Sequence, residues 1–139
     1  MSLDLTQFRA ARKRFADGYR VAVMERAASL GNTLADAIGD RTPVDTGAAK
    51  DSWNASVGHA DLRIRDRQAG YYNPLGEPDG ERIPEIPGVA PWGAEIHVSN
   101  NVPYINDLNA GSSRQAPAGF VELTLAEVAA GVLGEGDEK

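Results

Sequence analysis

Between Asp4 and Gly39 the apolar residues Phe8, Ala11, Phe15, Tyr19, Ala22, Val23, Ala27, Leu30, Leu34 and Ile38 recur at steps of three and four, the spacing of one helix face. No other feature restricts the fold of this chain as strongly. Asp4 with Gln7 three residues later fits a capping box, Gly39 fits a C-terminal cap, and Pro43 forbids continuation. At 1.5 Å per residue such a helix runs roughly 50 Å, longer than a compact domain of this size requires. It is expected to overhang its own domain and touch something else. Gly18 and Gly31 offer bends, each at about 1 kcal/mol relative to Ala.

Beyond Pro43 the pattern changes repeatedly. AAKDSW reads as a short helix, Trp53 to Val57 and Leu62 to Ile64 as strands, and AEIHVSN, residues 94 to 100, as the best strand of the chain because apolar and polar residues alternate there. PYINDLNAG reads as a short helix closed by Gly111, SSRQAPAG as a connector, and Pro117 to Leu133 as an amphipathic helix before a frayed acidic tail, residues 134–139. The order predicts an α+β fold: a long N-terminal helix and shorter C-terminal helices packed on a small antiparallel sheet. At 139 residues the chain is expected to form a single domain, 1–139.

Residues 68–93 hold five of the eight prolines and five glycines, which excludes an ordinary helix or central strand and predicts a long loop. Its large apolar residues Tyr71, Tyr72, Ile83, Ile86, Val89 and Trp92 point to binding. The loop is expected to be mobile in the isolated protein and fixed in an assembly. There Tyr71, Tyr72, Ile83, Ile86 and Trp92 would bury against a neighbour, with Glu77, Asp79, Glu81 and Glu85 at the polar rim.

Charge narrows the function classes. The net charge is −6, yet residues 1 to 26 hold six basic against three acidic residues, +3, leaving eight basic and seventeen acidic residues, −9, for the rest. An acidic body repels nucleic acid at close range, which argues against sequence-specific DNA binding. The absence of cysteine excludes disulfides and thiolate metal sites, and no apolar stretch approaches the roughly 18 residues of a membrane span. MSLDLTQFRAARKRF has no apolar signal-peptide region, so assembly in a bacterial-type cytoplasm is expected.

One triplet suggests catalysis. Asp45-Thr46-Gly47 matches the signature of aspartic proteases, whose chemistry needs two such aspartates sharing a proton, so this chain would have to dimerise. In that arrangement an apolar strand delivers the aspartate, whereas here GDRTPV precedes it. The simpler reading is structural: Asp45 and Thr46 cap the helix that follows and Gly47 permits the tight approach. His59 and His97 stand 38 residues apart without a ligand-like spacing and read as ordinary histidines. No nucleophile elbow, phosphate loop or dinucleotide fingerprint is present. No enzyme activity, metal or cofactor is expected.

Two segments, TPVDTGAAKDSW and IHVSNNVPYINDLNAGSSRQAPAGFVELTL, together resemble the tail-completion proteins of tailed bacteriophages, also called tail-component or neck proteins. Members tend to carry a long N-terminal helix, a TPVDTG turn leading to a short helix and Trp, and a pattern NxxPYxxxLExGSSxQAPxGM before the last helix. Pro43, Asp45, Thr46, Gly47, Trp53, Asn101, Pro103, Tyr104, Leu108, Gly111, Ser112, Gln115, Ala116, Pro117 and Gly119 match by position. Asn109 stands where an acid is commoner and Phe120 where Met is, and segment 68–93 lies in the family's variable region. The resemblance implies a non-enzymatic virion protein in a homo-hexameric ring between the head-side connector and the tail terminator or tail tube. Genomic DNA would pass through without specific binding, along an acidic wall that repels phosphates. A tail terminator or head-closure adaptor of the same particle is the neighbouring alternative.

Overall fold

The computed structural model describes residues 4–85 and 90–137. Helix α1 (Leu5–Arg41) is followed by α2 (Ala48–Asp51), strands β1 (Asn54–Val57), β2 (Ile64–Asp66), β3 (Gly70–Tyr72), β4 (Glu81–Arg82) and β5 (Ile96–Ser99), then α3 (Ile105–Asn109) and α4 (Phe120–Asp137). The fold is α+β as expected. β1 is the centre of an antiparallel sheet of order β4-β1-β5, with Ser56 opposite both Arg82 and His97. β2 and β3 form a separate hairpin in which Arg65 faces Tyr71.

Asp4 caps α1, accepting from the Thr6 amide at 2.9 Å. The helix stops two residues later than the glycine signal suggests. Gly39 is buried inside it, and Thr42 closes it: the Thr42 amide donates to Gly39 O and its hydroxyl to Ile38 O at 2.8 Å. Pro43 then blocks another turn. α4 begins at Phe120, three residues after Pro117, and takes in residues 134–137 of the expected tail; residues 138 and 139 lie outside the described residues.

The core lies on one side of the second half of α1. Ile38, Ala116 and Phe120 form one cluster with Leu34, Trp53, Val98 and Val121 around it, and Ala49, Ile64 and Val102 form a second. Leu108 touches both, so α3 ties the two clusters together. Gly31 serves close packing: a Cβ there would stand 2.7 Å from Ile96 Cγ2 on β5.

The first half of α1 leaves the domain. Among residues 4–22 only Ala16 is less than exposed, and Phe8, Phe15 and Tyr19 are 63%, 77% and 60% accessible. The overhang is as the helix length predicts, but the single apolar face is not. At roughly 100° per residue, steps of four drift forward, so Phe8 and Ile38 point about 120° apart. The aromatic row of the overhang is therefore turned away from the core-facing row of Ala35 and Ile38.

The described part of segment 68–93 is more ordered than its composition suggests. It contributes β3 and β4, and the Ile83 amide donates to Ala55 O at 3.1 Å. Proline is accommodated because none of the described prolines of the segment lies within a strand.

Candidate interaction surfaces

The two segments that carry the family resemblance meet in space. Gln115, on the connector after α3, accepts from the Val44 amide at 2.9 Å and donates to the Val44 carbonyl at 3.0 Å. This paired bond spans 71 residues and joins the turn after α1 to the connector before α4. The two faces of the joint are concave. One, of about 560 Å³, is lined by Arg41, Pro43, Gln115, Pro117, Phe120 and Leu123; the other, of about 480 Å³, by Pro43, Asp45, Tyr104, Leu108, Ser112 and Gln115.

Each matching residue has a structural task or an exposed position. Trp53 donates its indole N–H to Thr42 Oγ1 at 2.8 Å and packs on the first core cluster, where Ala116 is buried. Asn101 donates to Leu62 O at 3.3 Å. Pro103 and Tyr104 are exposed at the start of α3. Gly111 has φ +96°, and a Cβ there would meet Ala118 Cβ at 3.1 Å; Ser112 donates its amide to Asp107 O, closing α3. Gly119, at φ +77°, donates to Asn109 O just before α4.

Asn109, where the resemblance expects an acid, has a structural role of its own. Its Oδ1 accepts from the Val121 amide at 3.0 Å, capping α4, while its Nδ2 donates to both Glu122 oxygens at 2.9 Å. That second bond holds the Glu122 carboxyl below its ordinary value. An acid at position 109 could make the cap but not the bond to Glu122.

Asp45 is not the cap. Gly47, with φ +87° and no side chain to offer, is the N-cap of α2, and Thr46 Oγ1 accepts from the Ala48 amide at 3.4 Å. The Asp45 side chain is exposed on the second concave face and has no hydrogen-bond partner among the described residues. The left-handed backbone at Gly47 turns the chain into α2 without help from a carboxylate.

The expected loop interface divides. Tyr71, Tyr72 and Trp92 are exposed, with the Arg20 guanidinium 5.9 Å from the Trp92 ring, whereas Ile83 is half-buried and approaches α1 near Gly31. Ile86 lies outside the described residues. Asp79 is not a rim residue: it accepts from the Leu62 amide and Asn73 Nδ2 and stands 3.7 Å from Arg63.

Sequence reasoning missed the polar anchor beneath this surface. Asp61 is fully buried and accepts from Arg63 at 2.7 and 2.8 Å, from Arg82 at 2.6 Å and from the Arg63 amide. Burial alone would push its carboxyl up, but the hydrogen bonds from Arg63 and Arg82 outweigh burial and hold it below its ordinary value. Arg82 stacks 3.5 Å from the centre of the Tyr71 ring, and Arg65 flanks the same ring. Burial also pushes the Tyr71 hydroxyl up, and the two arginines bring it below its ordinary value. Tyr71 is thus clamped in an exposed position. An Asp between weak strand signals gives no sequence sign of this, since its partners lie 2 and 21 residues away.

Among the described residues no three His, Cys, Asp or Glu side chains gather as a metal site, and no helix is long and apolar enough to cross a membrane. No protein-family model, curated protein or solved structure matches this chain.

Proposed function

We propose that this chain is a structural subunit of the neck of a tailed-phage particle. It forms a homo-hexameric ring that joins the head-side connector to the tail terminator or tail tube, with genomic DNA passing through unread. The observation that carries the reading is the Gln115–Val44 joint: the two segments that resemble tail-completion proteins meet there, although 71 residues separate Val44 from Gln115. A virion location follows from the same reading. The overhanging half of α1 and the clamped Tyr71 hairpin give each subunit projecting parts for unlike contacts with its neighbours, as a ring requires.

The aspartic-protease alternative gains no support from Asp45, which is exposed on a turn rather than presented for pairing with a second carboxylate. Pepstatin-sensitive peptide cleavage at acid pH, lost in Asp45→Asn, would reinstate it. The neck reading is tested by locating the chain in density of intact particles. A six-fold ring below the connector supports it. Density capping an unjoined tail, or closing an unjoined head, reassigns the chain to a terminator or head-closure adaptor, and absence from the particle refutes it.

A further inference from the structure

The overhang of α1 carries two adjacent rows. Phe8, Phe15, Tyr19 and Ala22 follow one line along the helix, and Arg9, Lys13 and Arg20 the next, by the 3.6-residue period. Arg9, Arg12, Lys13 and Arg14 form no ion pair among the described residues. The body carries a complementary feature: an apolar groove of about 550 Å³ between α1, β5 and α4, with Leu30, Gly31, Leu34, Ile96, Leu125 and Val128 in its walls. Glu95, next to Ile96, and Glu122, one turn before Leu125, carry exposed carboxylates, of which Glu95 faces His97 at 3.2 Å and Glu122 accepts from Asn109.

The overhang cannot fill the groove of its own chain. Residues 5–22 and the groove residues Ala27 to Leu34 belong to one unbroken helix, so the aromatic row leads away from the groove. We infer that the overhang of one copy docks its aromatic row into the α1–β5–α4 groove of a second copy of this chain. Charge favours this occupant: residues 1 to 26 carry +3 and the rest of the chain −9. Area sets its strength. From their exposures, Phe8, Phe15 and Tyr19 still offer roughly 300–500 Å². With the groove side counted, the contact approaches the roughly 1,000 Å² at the lower limit of specific interfaces. It is therefore weak between free subunits and effective when repeated. Because overhang and groove are unlike surfaces, each docked pair leaves one of each free, which permits a ring. The contact deepens the ring reading and rests on it for closure only; the pairing stands by itself.

Sedimentation velocity from micromolar to millimolar protein at low salt tests it, with Phe15→Gln/Tyr19→Gln as the overhang variant and Leu125→Lys as the groove variant. These three positions are exposed, and matched melting curves check the fold; Ala130→Lys, an exposed position on another flank of α4 that lines neither the groove nor the joint, is the control. Wild type and control should associate with rising concentration and dissociate with added salt. Each variant alone should weaken association at least tenfold. Their mixture should form a 1:1 pair with near wild-type affinity, because one supplies an intact groove and the other an intact overhang. Wild type that stays monomeric throughout overturns the inference, as does a groove variant that associates normally, which would mean pairing between overhangs. Retention of duplex DNA by the overhang without self-association would assign the basic row to phosphates instead and also overturn it. Any of these failures leaves the location of the chain in the particle, and with it the neck reading, to be decided separately.

Discussion

Replacing Asp61 by Asn changes one buried atom and should unsettle the whole β2–β4 region. The substitution keeps the shape but puts an amide NH₂ where Oδ2 accepts from Arg63 Nη2 at 2.7 Å and Arg82 Nε at 2.6 Å, so donors would face donors. Breaking a buried ion pair from one side costs about 3–5 kcal/mol. The lower end applies here, because Arg63 is 29% exposed and keeps Asp79 at 3.7 Å. Arg82, at 12% exposure, keeps the Tyr71 ring. A loss of about 3 kcal/mol corresponds to roughly 10 °C in Tm for a domain of this size.

The pH dependence gives an independent check. The folded carboxyl of Asp61 lies below its ordinary value of 3.8. Its stabilisation is thus complete above the unfolded value and is lost as pH falls through the folded one. Denaturant titrations of wild type and Asp61→Asn at neutral and acid pH should show a large gap that narrows in acid, since a protonated Asp61 resembles Asn. Asp61→Asn/Arg82→Met should recover more than about 1 kcal/mol of the loss by removing the stranded guanidinium. A neutral-pH loss under about 1 kcal/mol, or a gap that stays constant on acidification, would refute the assignment of Asp61 as a charged anchor.

Other perturbations separate the remaining features. Gln115→Ala removes both bonds to Val44 and should lower the urea-unfolding free energy by about 1 kcal/mol while leaving the core spectroscopically intact. Asp45→Leu should change stability by less than about 0.5 kcal/mol, as befits an exposed side chain without a partner, whereas Gly47→Ala, at φ +87°, should cost about 1–2 kcal/mol in the same titration. Gly80→Ala should be among the most disruptive single changes, because a Cβ there would collide with the backbone carbonyl of His59; a wild-type melting curve would show that the β4 approach is wrong. Hydrogen exchange of the free protein should find the Ile83 amide, bonded to Ala55 O, slower than the Leu75 amide, whose bond to the Asn73 side chain is exposed.

Much of this architecture is local and was therefore legible. The existence and length of α1, the break at Pro43, the β5 alternation and the helices on either side of Gly111 depend on residues a few positions apart, and so does the overhang, which follows from helix length alone. The misreadings arose where short-range signals compete. Gly39 resembles a cap but packs inside α1, Asp45 resembles a cap but Gly47 turns the chain unaided, and segment 68–93 has loop composition yet pairs through β3 and β4. In α1 the three-and-four spacing was visible, but its slow rotation, which aims Phe8 and Phe15 away from the core, is seen only when the steps are summed over eight turns. What tertiary structure alone decided are the long-range meetings: Gln115 with Val44, Asp61 with Arg82, and the groove formed by α1, β5 and α4. Such contacts depend on how the elements are stacked, and a single sequence records the side chains that can make them without recording which ones the stacking brings within reach.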